Sequence, residues 1–287
     1  MSLTIRQALV LVLIATSLPG CIETRNVSTF ANSVLMVTDA TDKIMASDRL
    51  VCADITALVQ ETESLPGVGS LGDANCAKLD KILAGIVGVN QVLGNYGQAL
   101  ADIAQDSFIN YDSDVGTLSG ILNQLPPRLA SPEQIAAVGQ LAGFVASLAT
   151  EHDREKAIRA AMAGPAMQGN FHQVSSLLKS LAKQYGQGLE QRAATTNSIL
   201  RVVRHDFGPA EPVAVAELSL RLAPLAHVSE AQTTALRSYQ AALDGMDKAF
   251  DAALAKPTAK QLLDDVKDFA RQARSVAKAL ATAFPRS

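Results

Sequence analysis

The sequence predicts an all-α fold, an up-and-down bundle of long antiparallel helices, on three observations. Apolar residues recur at steps of three and four along almost the whole chain, and several stretches are strictly heptad-like. The composition is 48 % apolar but only 4 % aromatic, with no Trp. That balance suits close helix–helix packing and disfavours β-sandwiches, which lean on aromatic and β-branched alternation. Clusters of turn formers and helix-capping sequences punctuate the periodic stretches. No fixed repeat period runs through the chain, which argues against a solenoid.

The first seam is Phe30, Val34, Val37, Thr41, Ile44, Asp48, Val51, Ile55 and Leu58, apolar except at Thr41 and Asp48. A Pro/Gly-rich connector, Ser64 to Asp73, follows. The second seam, Leu79, Ile82, Ile86, Val89, Leu93, Tyr96, Leu100 and Ile103, is unbroken, so the two read as long antiparallel helices joined by a loop. Gly85, Gly88, Gly94 and Gly97 lie inside the second helix, each costing up to about 1 kcal/mol against Ala unless it admits a close neighbour. A short helix from Val115 to Leu125 stops at Pro126-Pro127. Ser131-Pro132-Glu133-Gln134 supplies an N-cap, a proline at the first helical position and a capping-box partner, and Ile135, Val138, Leu141, Val145 and Leu148 follow on one face.

Gly164-Pro165 predicts a break. The next seam carries Phe171, Val174, Leu178, Leu181, Tyr185, Leu189, Ile199 and Val203, and ends near Phe207-Gly208-Pro209. Val213 to Ala226 reads as a short apolar segment with Pro224 inside. Ser229-Glu230-Ala231-Gln232 reads as a second capping box, opening a helix with Leu236, Tyr239, Leu243, Met246 and Phe250. Pro257 starts the last helix, with the seam Leu262, Val266, Phe269, Ala273, Val276, Leu280 and Phe284.

Catalytic and metal chemistry find no pattern. His152, His172, His205 and His227 are widely spaced, and no zinc-protease, hydrolase-elbow, P-loop or dinucleotide motif occurs. Glu151-His152-Asp153 and His205-Asp206 read as polar helix ends. Asn110 to Gly116 places its glycine one position late for a calcium loop and lacks the closing Glu. Asp39 and Asp42 make no acid–base pair. No catalytic, cofactor-binding or metal-ligating residues are therefore expected. Net charge of −3 carries no nucleic-acid footprint, and the basic stretch Lys256 to Ser287 reads as a solvated helix face.

The chain opens with MSLTIRQALVLVLIATSLPGC. Arg6 gives a basic start, Ala8 to Ala15 a brief apolar core too short to span a bilayer, and Leu18-Pro19-Gly20-Cys21 a closing site. The closing Leu-x-Gly-Cys resembles the lipobox of bacterial lipoproteins. The resemblance implies cleavage after Gly20, a diacylglycerol thioether on Cys21 and acylation of the new terminus. Residues 1–20 are then a cleaved signal, and 21–287 a single helical domain anchored by its acyl chains. Ile22, where an Asp would retain the protein at the inner membrane by the enteric sorting rule, favours the outer membrane facing the periplasm.

With Cys21 acylated, Cys52 and Cys76 remain, and in an oxidising compartment the pair reads as a disulfide. The geometry is demanding. If the first helix runs to about Thr62, Cys52 lies roughly 15 Å below its end. Bridging then needs that helix to end early or the connector to fold back along it.

The function expected is that of a lipid-anchored binding or scaffold protein with a protein partner, as in immunity-type or envelope-assembly lipoproteins. A periplasmic enzyme with an unrecognised site is the alternative. A membrane-active helical hairpin is a second one, against which Asn90, Gln91, Asn95 and Gln98 interrupt the glycine-rich helix.

Overall fold

The computed structural model describes residues 24–63, 76–105, 115–148, 154–207, 212–254 and 259–284. Among these residues the chain is all-α, without a strand. Its helices are α1 (Thr24–Asp39), α2 (Asp42–Glu63), α3 (Cys76–Gln105), α4 (Val115–Asn123), α5 (Pro132–Leu148), α6 (Arg154–Ala163), α7 (Pro165–Val202), α8 (Pro212–Leu254) and α9 (Ala259–Ala283), with a π-helical turn, Val203–Phe207, closing α7.

The long helices run up and down, as the seams predict. Gly97 of α3 faces Ala31 and Val34 of α1, and Gly94 faces Thr38, so these two are antiparallel. Gly85 faces Leu181 and Gly188 faces Leu79, which sets α7 antiparallel to α3. α8 packs along α7, and α9 along both α8 and α1. α4, α5 and α6 cover the remaining flank of α3 and α7.

The scarce aromatics are concentrated at one point. Phe30 (α1), Tyr96 (α3), Phe171 (α7), Phe250 (α8) and Phe269 (α9) give one buried ring from each of five long helices. Phe171 and Phe250 stack at 4.0 Å between centroids. Phe30 sits within 6.2 Å of Phe171, Phe250 and Phe269. The Tyr96 hydroxyl donates to the Ala161 carbonyl at 3.0 Å, tying α6 to the centre. The Tyr239 hydroxyl donates to Asn90 Oδ1 at 2.8 Å, joining α8 to α3.

Burial raises the ionisation of Tyr96 and Tyr239 well above the usual phenol range, the bond to Asn90 only partly opposing this for Tyr239. For Tyr185, burial acts first and the charge of Asp48 second, also upward. A raised folded-state value means stability present below the unfolded value near 10 and lost as pH rises beyond it. These three tyrosines are expected to ionise only as the chain unfolds. Absorbance at 295 nm followed beside circular dichroism checks this, and their titration with the helices intact would contradict it.

Two punctuation readings are corrected. The Phe30–Leu58 seam is not one helix: it breaks at Ala40-Thr41, where the Thr41 amide and hydroxyl both bond the Thr38 carbonyl. Conversely, Ser229-Glu230-Ala231-Gln232 opens nothing, because α8 runs unbroken from Pro212 to Leu254 through Pro224. Leu218, Leu222, Gln232, Leu236 and Tyr239 lie on its buried face, and that shared burial outweighs local capping signals. Pro224 is tolerated because it lies on the solvent side. Leu220, whose carbonyl Pro224 leaves unpaired, is 76 % exposed, so water can meet that group.

Other signals are realised as read. Ser131 N–H donates to Gln134 Oε1 at 3.0 Å and Gln134 N–H donates to Ser131 Oγ at 3.3 Å, a reciprocal capping box. Gly164 separates α6 from α7 in an extended conformation, with Pro165 first in α7. The α3 glycines admit neighbours: a Cβ at Gly97 would lie 3.1 Å from Val34 and 3.2 Å from the Ala31 carbonyl. Gly97→Val should therefore destabilise by about 1–3 kcal/mol. Gly143 has open space around it, so Gly143→Ala should stabilise by up to about 1 kcal/mol. Urea unfolding of both variants checks the pair, and equal shifts would remove the close-approach argument.

Candidate functional site

Cys21 lies outside the described residues. Cys52 and Cys76 are joined by a disulfide with Cα atoms 5.9 Å apart. The first helix does not end early to allow this, since α2 continues unbroken to Glu63. Instead Cys76, the first residue of α3, sits at the level of Cys52, with Thr56 Oγ1 3.7 Å from its sulfur. Eleven residues of α2 thus overhang the start of α3, about 16 Å of helix.

The overhang has its own core. Val51, Ile55, Leu58 and Val59 of α2 pack with Ile199, Leu200 and Val203 at the end of α7 and with Leu218 and Leu222 of α8. This end core is separate from the main one around the aromatic rings. A buried ion pair lies between the two. Arg192 Nη1 donates to Asp48 Oδ1 at 2.7 Å and Nη2 to Oδ2 at 3.4 Å, both side chains being within 1 % of full burial. The buried Thr196 hydroxyl bonds its own Arg192 carbonyl.

Sequence reasoning noted Asp48 only as an interruption and missed Arg192. The signal was available: Arg192 and Thr196 fill the gap between Leu189 and Ile199 at helical steps, so two seams carry polar residues at core positions.

Beside the end core, α7 and α8 enclose a polar groove of about 640 Å³. Its floor is made by small residues, Ala193, Ala194 and Ala223, and its walls include Asn197, His227 and Thr234. Arg237 Nη2 donates to Glu190 at 2.9 Å at one end. At the other, Arg204 of the π-helical turn donates through Nε to Ser219 Oγ at 3.4 Å. A second groove of about 610 Å³ lies between α8 and α9, lined by Ser275, Lys278 and Thr282. His227, Glu230 and Thr234 form the ridge shared by both. Small side chains line the groove close to Pro224, inside α8, and to the π turn that closes α7.

The other described histidines, His172 and His205, do not line this groove. His152 lies outside the described residues, and His205 is exposed in the π turn. His172 joins a surface ladder, with Nε2 2.9 Å from Asp251 and Nδ1 3.6 Å from Asp247. Lys179 reaches Asp244 at 2.7 Å and Asp247 at 2.6 Å in the same ladder. Burial alone would weaken its charge, but the two carboxylates more than offset this and hold the ammonium above its usual value. Among the described residues no group of three His, Cys, Asp or Glu side chains could hold a metal ion. No described helix is long and apolar enough to cross a membrane.

Comparison with known proteins leaves the fold and the groove to speak for themselves: no protein-family profile, curated protein or solved structure matches this chain.

Proposed function

We propose that this chain is a bacterial envelope lipoprotein, anchored through acylated Cys21 and sorted to the outer membrane facing the periplasm, whose helical bundle binds a partner protein without catalysis. The observation that carries the reading is Leu18-Pro19-Gly20-Cys21 closing a basic and then apolar leader. Two further observations support it. Thr24, three residues beyond Cys21, is already helical, so at most about 11 Å of chain separates an anchor from the bundle. The Cys52–Cys76 bridge suits an oxidising compartment. The preformed polar groove beside the end core supports the binding role, since its groups are offered to solvent on rigid helices.

Metabolic labelling with a fatty-acid analogue tests the anchor. Label is expected in the native chain and absent from Cys21→Ala. Undiminished label in Cys21→Ala would remove the lipoprotein reading.

A further inference from the structure

We propose that the groove between α7 and α8 takes an extended, acidic peptide segment of the partner, with Arg204 as its carboxylate contact. This deepens the reading of the bundle as a binding protein but does not depend on the lipid anchor. Four observations point to this ligand chemistry.

The first is charge. Of the ionic groups at the groove and its ridge, Arg237 and Glu190 satisfy each other. Arg204 spends only Nε, on Ser219, and its two terminal nitrogens have no carboxylate among the described residues. Lys278 belongs to the second groove, beyond the ridge. One acid outside the Arg237–Glu190 pair, Glu230, stands on the ridge, eleven residues or about 16 Å along α8 from Ser219. The free positive charge is therefore local, at the Arg204 end of the groove. A planar guanidinium with both Nη groups available is suited to bidentate capture of a carboxylate.

The second is the mixture of neutral polar groups. Asn197 and Thr234 each offer a donor and an acceptor, the pattern that a peptide backbone, with alternating N–H and C=O, can satisfy. A simple inorganic anion would use only the donors.

The third is length. From Glu190 to Arg204 the α7 wall runs about 21 Å at 1.5 Å per residue. That matches about six residues of extended chain. The fourth is the floor. Ala193, Ala194 and Ala223 let a backbone approach both helices closely, and the cross-helix bonds at the two ends hold the walls apart beforehand. A site fixed in this way spends little of its interaction on ordering itself.

Fluorescence anisotropy on the full chain tests the proposal. The probe is a labelled hexapeptide of alternating aspartate and serine, compared with the same peptide bearing lysine for aspartate. Saturable binding of the acidic peptide is expected, weakened by added salt, with no saturable binding of the basic one. Arg204→Ala should weaken it about fivefold, the upper range for an exposed ion pair. Ala194→Trp, on an exposed floor position, should abolish it with thermal unfolding unchanged. Equal binding of both peptides, no saturable binding, or full affinity in Ala194→Trp would overturn the proposal. Displacement by inorganic phosphate at the same affinity would also overturn it, in favour of a free-anion site. Failure here leaves the fatty-acid labelling result untouched, and failure of labelling leaves the peptide result untouched.

Discussion

Arg192→Met is expected to destabilise the folded chain by about 3–5 kcal/mol, because it leaves the Asp48 carboxylate buried without its counter-charge. Asp48→Leu should do comparable damage by stranding the guanidinium. The double variant carrying both changes is expected to recover most of the loss, since two well-packed apolar side chains remove both desolvation costs at once. The pair thus contributes little net stability but penalises any packing in which α2 and α7 slip past each other by a turn. Urea unfolding of native, single and double variants measures this as a coupling energy. A single variant within about 1 kcal/mol of native, or a double variant no better than either single, would show that the pair does not act as described.

Opening the Cys52–Cys76 bridge is expected to cost about 3–4 kcal/mol on the chain-entropy account for a separation of 24 residues. The loss should fall unevenly. Among the described residues nine buried apolar side chains form the end core, whereas the main core is many times larger. Once the bridge opens, the overhanging turns of α2 keep their contacts to α7 and α8 but lose their tie to α3. In a Cys52→Ser/Cys76→Ser chain, hydrogen exchange should therefore speed up together in 53–63, 199–203 and 218–222, with the turns around Phe30, Tyr96 and Phe171 unchanged. Uniform loosening of the whole bundle would mean that the two cores are not separable units. A Cys21→Ser chain, denatured without reductant, should show no free thiol, and two per chain would remove the bridge.

The fold class was legible because helical periodicity needs no tertiary knowledge. Every described position of the Leu79–Ile103 seam is buried, as are Val266, Phe269, Ala273, Val276 and Leu280 of α9 and Phe284 just beyond it. The same rule concealed the buried ion pair and the break that precedes it. Thr41 and Asp48 look like defects in one seam, and Arg192 like a gap in another. Only the register of α2 against α7 brings the latter two within 2.7 Å. Pro224 and Ser229 misled for the opposite reason: both are real local signals, overridden by a buried face that continues past them. The groove was invisible in the sequence because its residues are ordinary singly. It arises from which residues of α7 and α8 come to face each other, which no spacing rule records.

The distance between the first turn of α1 and the groove has a mechanical consequence. α1 begins beside the end of α3, and the groove lies beyond the start of α3, some 45 Å away at 1.5 Å per residue. A chain held at Cys21 and pulled at the groove is loaded along the bundle axis. The side chains of α1 must then slide past α3 and α9 all together, in shear, because no end is free to peel turn by turn. Should they give way, unravelling halts at the covalent link between Cys52 and Cys76. The slack released is the 31 residues from Cys21 to Cys52, roughly 100–110 Å when taut. The bridge would then act as a stop on an extensible leash, sparing Ile55, Leu58 and Val59 of the end core while the tether lengthens at the expense of Val51 and Asp48.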